Sequence, residues 1–136
     1  MLATVVLSDG PSASLSAPNG STQRYLIALV QQKSETNRLP ASIEAHGTGT
    51  ALGDPVEVGA IVAALSGSEV ITSSIKANIG HLESSAAGGG ALSLISSSLT
   101  ISCKSTNCQL YRINPHLVTQ VKFSTFLMPV ETLILR

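Results

Sequence analysis

Two histidines in this sequence stand in matching surroundings. His46 follows Ala41 to Ala45, which reads as a short strand, and opens a Gly/Thr-rich stretch, Gly47-Thr48-Gly49-Thr50. His81 follows a β-branched run and the loop Lys76-Ala77-Asn78-Ile79-Gly80. Each setting reads as strand, loop and helix. That order predicts both imidazoles close together at strand C-terminal ends, where open α/β folds build their sites. Glycines at 47, 49, 53 and 80 would let the backbone approach a ligand closely. Thr48 and Thr50 offer hydroxyls that can hold a polar, amide-bearing arm. Two imidazoles converging on one oxygen are suited to stabilising negative charge on a thioester carbonyl or an enolate. Spacing alone serves two structural histidines in turns equally well.

The other chemistry-bearing side chains are less suggestive. His46, His81 and His116 are evenly spaced, but their flanks do not match and no helical ligand spacing supports a metal site. His116, in Asn114-Pro115-His116-Leu117, reads as structural. Cys103 and Cys108 are too sparse for a disulfide scaffold and lack a second pair for zinc.

Two strands and their flanking helices must position the histidines. Ala41 to Ala45 reads as a short buried strand leading into His46, and Val70 to Ile75 as a second leading into the 76–81 loop. Between them, Asp54 is the expected N-cap, Pro55 the first helical residue, and Glu57 completes a capping box. Val58, Ile61, Val62 and Leu65 then keep the i, i+3, i+4, i+7 spacing of an amphipathic helix. Upstream, Val5 to Leu7 reads as a strand before the turn Ser8-Asp9-Gly10-Pro11. Asn19 or Ser21 can cap a helix to about Lys33, with Leu26, Leu29 and Val30 on one face. From Glu83 to about Ser102, Leu92, Ile95 and Leu99 have helical spacing despite Gly88, Gly89 and Gly90. Each interior glycine costs ~1 kcal/mol relative to alanine, so packing must hold this helix, which is expected to be buried between layers. Residues 119–136 carry Phe123, Phe126, Leu127 and Val130, a pattern compatible with strands. Together these elements predict a layered α/β fold.

The bulk properties agree with a folded domain. The chain has 136 residues, 43% hydrophobic and 12% charged, a balance that excludes disorder. Eight basic residues balance eight acidic ones, giving no sign of a nucleic-acid or membrane-surface partner. Between Glu83 and Glu131 there is no acid, while Lys104, Arg112 and Lys122 are basic, either as a mildly basic surface or as scattered solvated charges. No charged leader with an apolar core opens the chain, and no apolar run reaches ~18 residues, so neither a secretory signal nor a membrane span is expected. The expected location is cytoplasmic; a plastid is compatible with the sequence but not readable from it.

Longer motifs narrow the reading. Glu44-Ala45-His46-Gly47-Thr48-Gly49-Thr50 with Ala51-Leu52-Gly53-Asp54-Pro55-Val56-Glu57 resembles the first histidine motif of β-ketoacyl synthases, the condensing domains of fatty acid and polyketide synthases. Lys76-Ala77-Asn78-Ile79-Gly80-His81-Leu82-Glu83 resembles their second. Ser12-Ala13-Ser14-Leu15 with Ala17-Pro18-Asn19-Gly20 is similar to the segment before the first motif in polyketide-type synthases, and Asn114-Pro115-His116-Leu117 to one beyond the second. The resemblance covers roughly residues 3–118 of a partial domain, 1–136, with 119–136 as a divergent tail.

The resemblance implies a thiolase-like layered α/β fold, here incomplete and roughly the C-terminal half of a ketosynthase. It implies dimerisation and chain extension by decarboxylative Claisen condensation, on substrates carried by the phosphopantetheine of an acyl carrier protein, with no bound cofactor or metal. His46 and His81 would polarise the malonyl thioester. Lys76 would support them with Glu83 as its charge partner, Asn78 and Gly80 would be further supporting residues, and Thr48 and Thr50 would line the pantetheine channel. The family's cysteine nucleophile lies upstream of the first histidine motif, where this sequence has no cysteine. By itself the chain is therefore expected to be inactive. Its partners would be an acyl carrier protein and either the remainder of the synthase or a homodimer mate. The competing reading is a degenerate, non-catalytic domain that binds a carrier protein or an intact synthase.

Overall fold

A βαβ unit organises the chain. In the computed structural model, residues 3–12, 14, 17–34, 39–65, 70–83, 88–95, 113–118 and 126–127 are described. Helix α1 spans Gly20–Lys33, strand β1 Ser42–Glu44, helix α2 Gly53–Ala64, strand β2 Val70–Ser73 and the single turn α3 Lys76–Ile79. Residues 88–95 are helical. A 3-10 turn, Pro115–Leu117, and strand β3, Phe126–Leu127, follow. The strands form a parallel sheet in the order β1-β2-β3. In β1–β2 the register pairs Ser42 with Ile71, Ile43 with Thr72 and Glu44 with Ser73.

The core forms where α2 lies on this sheet. Val58 and Ile61 of α2 and Leu65 just beyond it bury against Val70 of β2 and Leu117 of the 3-10 turn. Ile27 of α1, Ile43 of β1 and Ile113 pack around that cluster. Each buried aliphatic side chain of this kind stabilises by ~1.5–3 kcal/mol. Asn19, one of the two caps that the sequence offers, closes α1: its side chain accepts the N–H groups of Ser21 and Thr22 at 3.1 and 3.2 Å. Its amide also donates to the carbonyls of Asp9 and Pro11 at 3.0 and 2.9 Å. The turn before the helix is thus tied to the helix start.

Four expectations are corrected. Residues 3–7 form no strand, and Val6 is 87% exposed, because no described strand pairs with them. Strand β2 stops at Ser73, and the stretch read as a loop is helical at Lys76–Ile79. There the N–H of Ala77 bonds the Ser74 carbonyl at 3.0 Å, and that of Asn78 bonds the Ile75 carbonyl at 2.9 Å. Asp54 is not the N-cap. Helix α2 begins at Gly53 after Leu52, and the Thr50 hydroxyl accepts the Gly53 N–H at 3.0 Å. The helical segment 88–95 is not buried between layers: Leu92, Leu94 and Ile95 are exposed, as no described element covers them. Cys103, Cys108, Lys104, Arg112, Lys122, Phe123, Val130 and the expected helix beyond residue 95 lie outside the described residues. Among the described residues, no helix is long and apolar enough to cross a membrane.

Exposed leucine and isoleucine on one short helix predict binding of an apolar-surface dye by the isolated chain. Leu94→Asp should weaken that signal. A dye-silent, monodisperse monomer with a cooperative thermal transition would contradict the prediction.

Candidate active site

Parallel pairing opens the C-terminal ends of β1 and β2 on one edge. The chain leaves β1 through Ala45 to His46, and leaves β2 through Ser74 and Ile75 to α3 and His81. The two imidazoles meet edge to face, with ring centroids 6.2 Å apart and planes at 87°. Both residues are exposed.

Carboxylates hold the loop that carries His46. Glu57, one turn into α2, accepts the His46 N–H at 2.6 Å and the Gly47 N–H at 3.0 Å. It therefore reaches across to the strand exit instead of closing a capping box. Asp54 is buried, which obliges its carboxylate to find partners. One oxygen accepts the Gly49 N–H at 3.1 Å, and the other accepts from the Asn114 amide at 3.0 Å. Asn114 also donates to the Thr50 carbonyl at 3.2 Å, pinning the 113–118 segment to this loop. Those partners, available only in the folded chain, explain why Asp54 turns away from the helix start.

Close approach demands glycine at position 47. Its φ is +48°, and a Cβ there would lie 2.7 Å from Ser74 Oγ. The exits of β1 and β2 thus touch at a point where no side chain can stand. At Gly80, φ of +76° ends α3 and turns the chain towards His81.

Lys76 joins the two motifs. Its Nζ donates to the His46 carbonyl at 2.6 Å and lies 3.3 Å from His46 Nδ1. An ammonium group has donors only, so this contact favours the ring form with Nδ1 as acceptor and the proton on Nε2. In that form His46 is a donor at its outer nitrogen.

The histidine pair borders two cavities of substrate-binding size. One, of about 480 Å³, is lined by Thr48, Gly49, Asp54, His81 and Asn114. The other, of about 540 Å³, is lined by His46, Ile79, His81, Leu82 and Leu94. Thr48 thus faces a cavity, whereas the Thr50 hydroxyl is engaged at the start of α2. Glu83 is exposed and forms no ion pair with Lys76, whose hydrogen bonds go to His46. Asn78 is exposed on α3. His116 is exposed on its turn, its N–H donating to Asn114. Among the described residues, no group of three His, Cys, Asp or Glu side chains gathers as a metal site.

Sequence reasoning missed Glu44, Asp54, Glu57 and Asn114 as site-building residues. The available signal was a carboxylate at the end of a strand read as buried, and two more in a helix start flanked by apolar residues.

Residues 1–106 match the family described as beta-ketoacyl synthase, C-terminal domain. The chain belongs to that family. It is 41% identical over 99 residues to a lovastatin diketide synthase of Aspergillus terreus, an alignment covering 72% of this chain and 4% of that protein. It is 37% identical over 99 residues to an erythronolide synthase of Saccharopolyspora erythraea, covering 68% and 3%. Among solved structures, an oxazolomycin ketosynthase domain of Streptomyces albus superposes with a TM-score of 0.71 at 32% identity, over 90% of this chain and 22% of that domain. The fold is accordingly part of a thiolase-like ketosynthase domain. The chain spans only a few per cent of the length of these curated relatives.

Two predictions test the loop geometry. Gly47→Ala should destabilise the chain more than Gly49→Ala, although both glycines have positive φ, because a Cβ at position 49 meets nothing within 4 Å. Comparable unfolding midpoints would contradict this. Asp54→Ala removes a buried acceptor from two part-buried hydrogen bonds, those of the Gly49 N–H and the Asn114 amide, and should cost about 1–3 kcal/mol. An unchanged midpoint in denaturant would show that the bracket is idle.

Proposed function

We propose that this chain supplies the two-histidine part of a condensing site in a polyketide-type ketosynthase. The observation that carries the reading is the edge-to-face pair of His46 and His81, with Lys76 bonded to His46. A malonyl thioester whose carbonyl oxygen lies between the imidazoles would lose carbon dioxide by breaking its C–C bond. The bonding electrons would pass to that oxygen as an enolate, stabilised by ring N–H donors that need no reorganisation. The enolate carbon would then attack an acyl thioester on a cysteine, forming the new C–C bond and releasing the thiolate.

The cavity beside Thr48 is suited to the pantetheine arm of a carrier protein, the partner that this chemistry requires. Condensation divides into two tasks, holding the growing chain and stabilising charge on the extender. Histidines serve only the second. Residues 1–45 contain no cysteine, so the nucleophile would come from other parts of the synthase.

Incubation of this chain with a labelled acyl thioester, followed by intact-mass measurement, should show no adduct. Slow decarboxylation of a malonyl thioester, where present, should vanish in His46→Ala and His81→Ala and persist in Cys103→Ala and Cys108→Ala. A stable acyl adduct on either cysteine, with condensation product, would overturn the assignment of the nucleophile.

A further inference from the structure

We infer that Glu44 is a positioning residue of this site, acting through Lys76 on His46; the inference rests on the condensing-site reading. Glu44 is the last residue of β1 and pairs with Ser73, the last of β2. Its side chain is half-buried, and its two oxygens divide their work. One accepts the Ser73 hydroxyl at 2.7 Å, and the other accepts the Ile75 N–H. The ladder between the strands continues past this pair, with the Ala45 N–H donating to the Ser73 carbonyl at 2.7 Å.

The next residue after Ile75 is Lys76, so the carboxylate anchors the peptide just ahead of the one that carries the lysine. Lys76 then returns across the same gap to the His46 carbonyl and ring. The exits of β1 and β2 are therefore cross-tied twice: Glu44 on one exit holds Ile75 on the other, and Lys76 on the second holds His46 on the first. A lysine side chain has four rotatable bonds and many alternative placements. Anchoring its backbone is what makes one placement, Nζ beside Nδ1, the favoured one. Loss of the Glu44 carboxylate should release Lys76, and with it the directed Nε2–H of His46, even in a chain that stays folded.

A residue that merely clasps the sheet end would alter stability without moving the His46 ring signals beyond a general loosening. The full chain labelled with 15N-histidine separates the two, with His46 assigned by its loss in His46→Gln. In Glu44→Ala, the His46 Nδ1 resonance should move in the same direction as in Lys76→Met. The double variant should show no further change, since both substitutions break one chain of contacts. Glu44→Gln should restore the wild-type signal, because a carboxamide oxygen can accept the Ile75 N–H while its amino group donates to the Ser73 hydroxyl. A folded Glu44→Ala with wild-type His46 resonances, or shifts that add to those of Lys76→Met, would overturn the inference. If Glu44→Ala does not fold, Glu44→Leu, which fills similar space and removes both acceptors, is judged by the same criterion. In the complete synthase, Glu44→Ala should lower kcat for malonyl decarboxylation by up to roughly a hundredfold, with KM little changed. A wild-type synthase without decarboxylation would defeat the condensing-site reading and leave the resonance result standing.

Discussion

Everything at this site depends on the parallel register that sets Glu44 opposite Ser73. Parallel strands joined by a crossover helix place their C-terminal ends on the same edge. Two residues beyond one end stands His46, and eight beyond the other stands His81. A register slip of one residue would turn Glu44 and Ile43 to the opposite faces of the sheet, exposing the apolar side chain and burying the carboxylate in the core. Core packing of Ile43 and Val70 against α2 therefore secures the register, and the register brings the imidazoles to 6.2 Å.

The second constraint is the satisfaction of backbone donors where strands end and loops begin. Loop N–H groups near a buried sheet edge need acceptors. Here Glu44, Asp54 and Glu57 provide them for Ile75, Gly49, and His46 with Gly47. Only eight of 136 residues are acidic, so placing three of them at one sheet edge is a large share of the available charge. Each carboxylate is bonded to the chain itself, while the imidazoles and Thr48 border the cavities. Loops tied in this way suit the proposed site, where donors must stay aimed at a fixed point to stabilise a developing oxyanion.

Exposure of Leu92, Leu94 and Ile95 stands in contrast to that ordered edge. The segment that carries them borders the same cavity as His46 and His81 through Leu94. Apolar surface beside a polar site is stable in water only at a cost. The matched ketosynthase domain is more than four times the span covered here. Both facts suit a site whose second wall is built by other parts of a larger protein.

Local pattern alone determined much. The i, i+3, i+4 spacing from Val58 to Leu65 and the β-branched run at Val70 reported α2 and β2, because periodic apolar residues have one way to reach a core. Asn19 read correctly as a possible cap, since its partners lie within three residues. The paired settings of His46 and His81 were legible as motifs. What local pattern misread were groups whose partners are distant in sequence. Asp54 looked like a helix cap until Asn114, 60 residues away, came within 3.0 Å. The resemblance implied that Lys76 supports the histidines, and its hydrogen bonds go to His46, 30 residues back. A polar side chain takes the best donor or acceptor that folding brings within reach. Which one that is depends on chain crossings that only the tertiary structure decides.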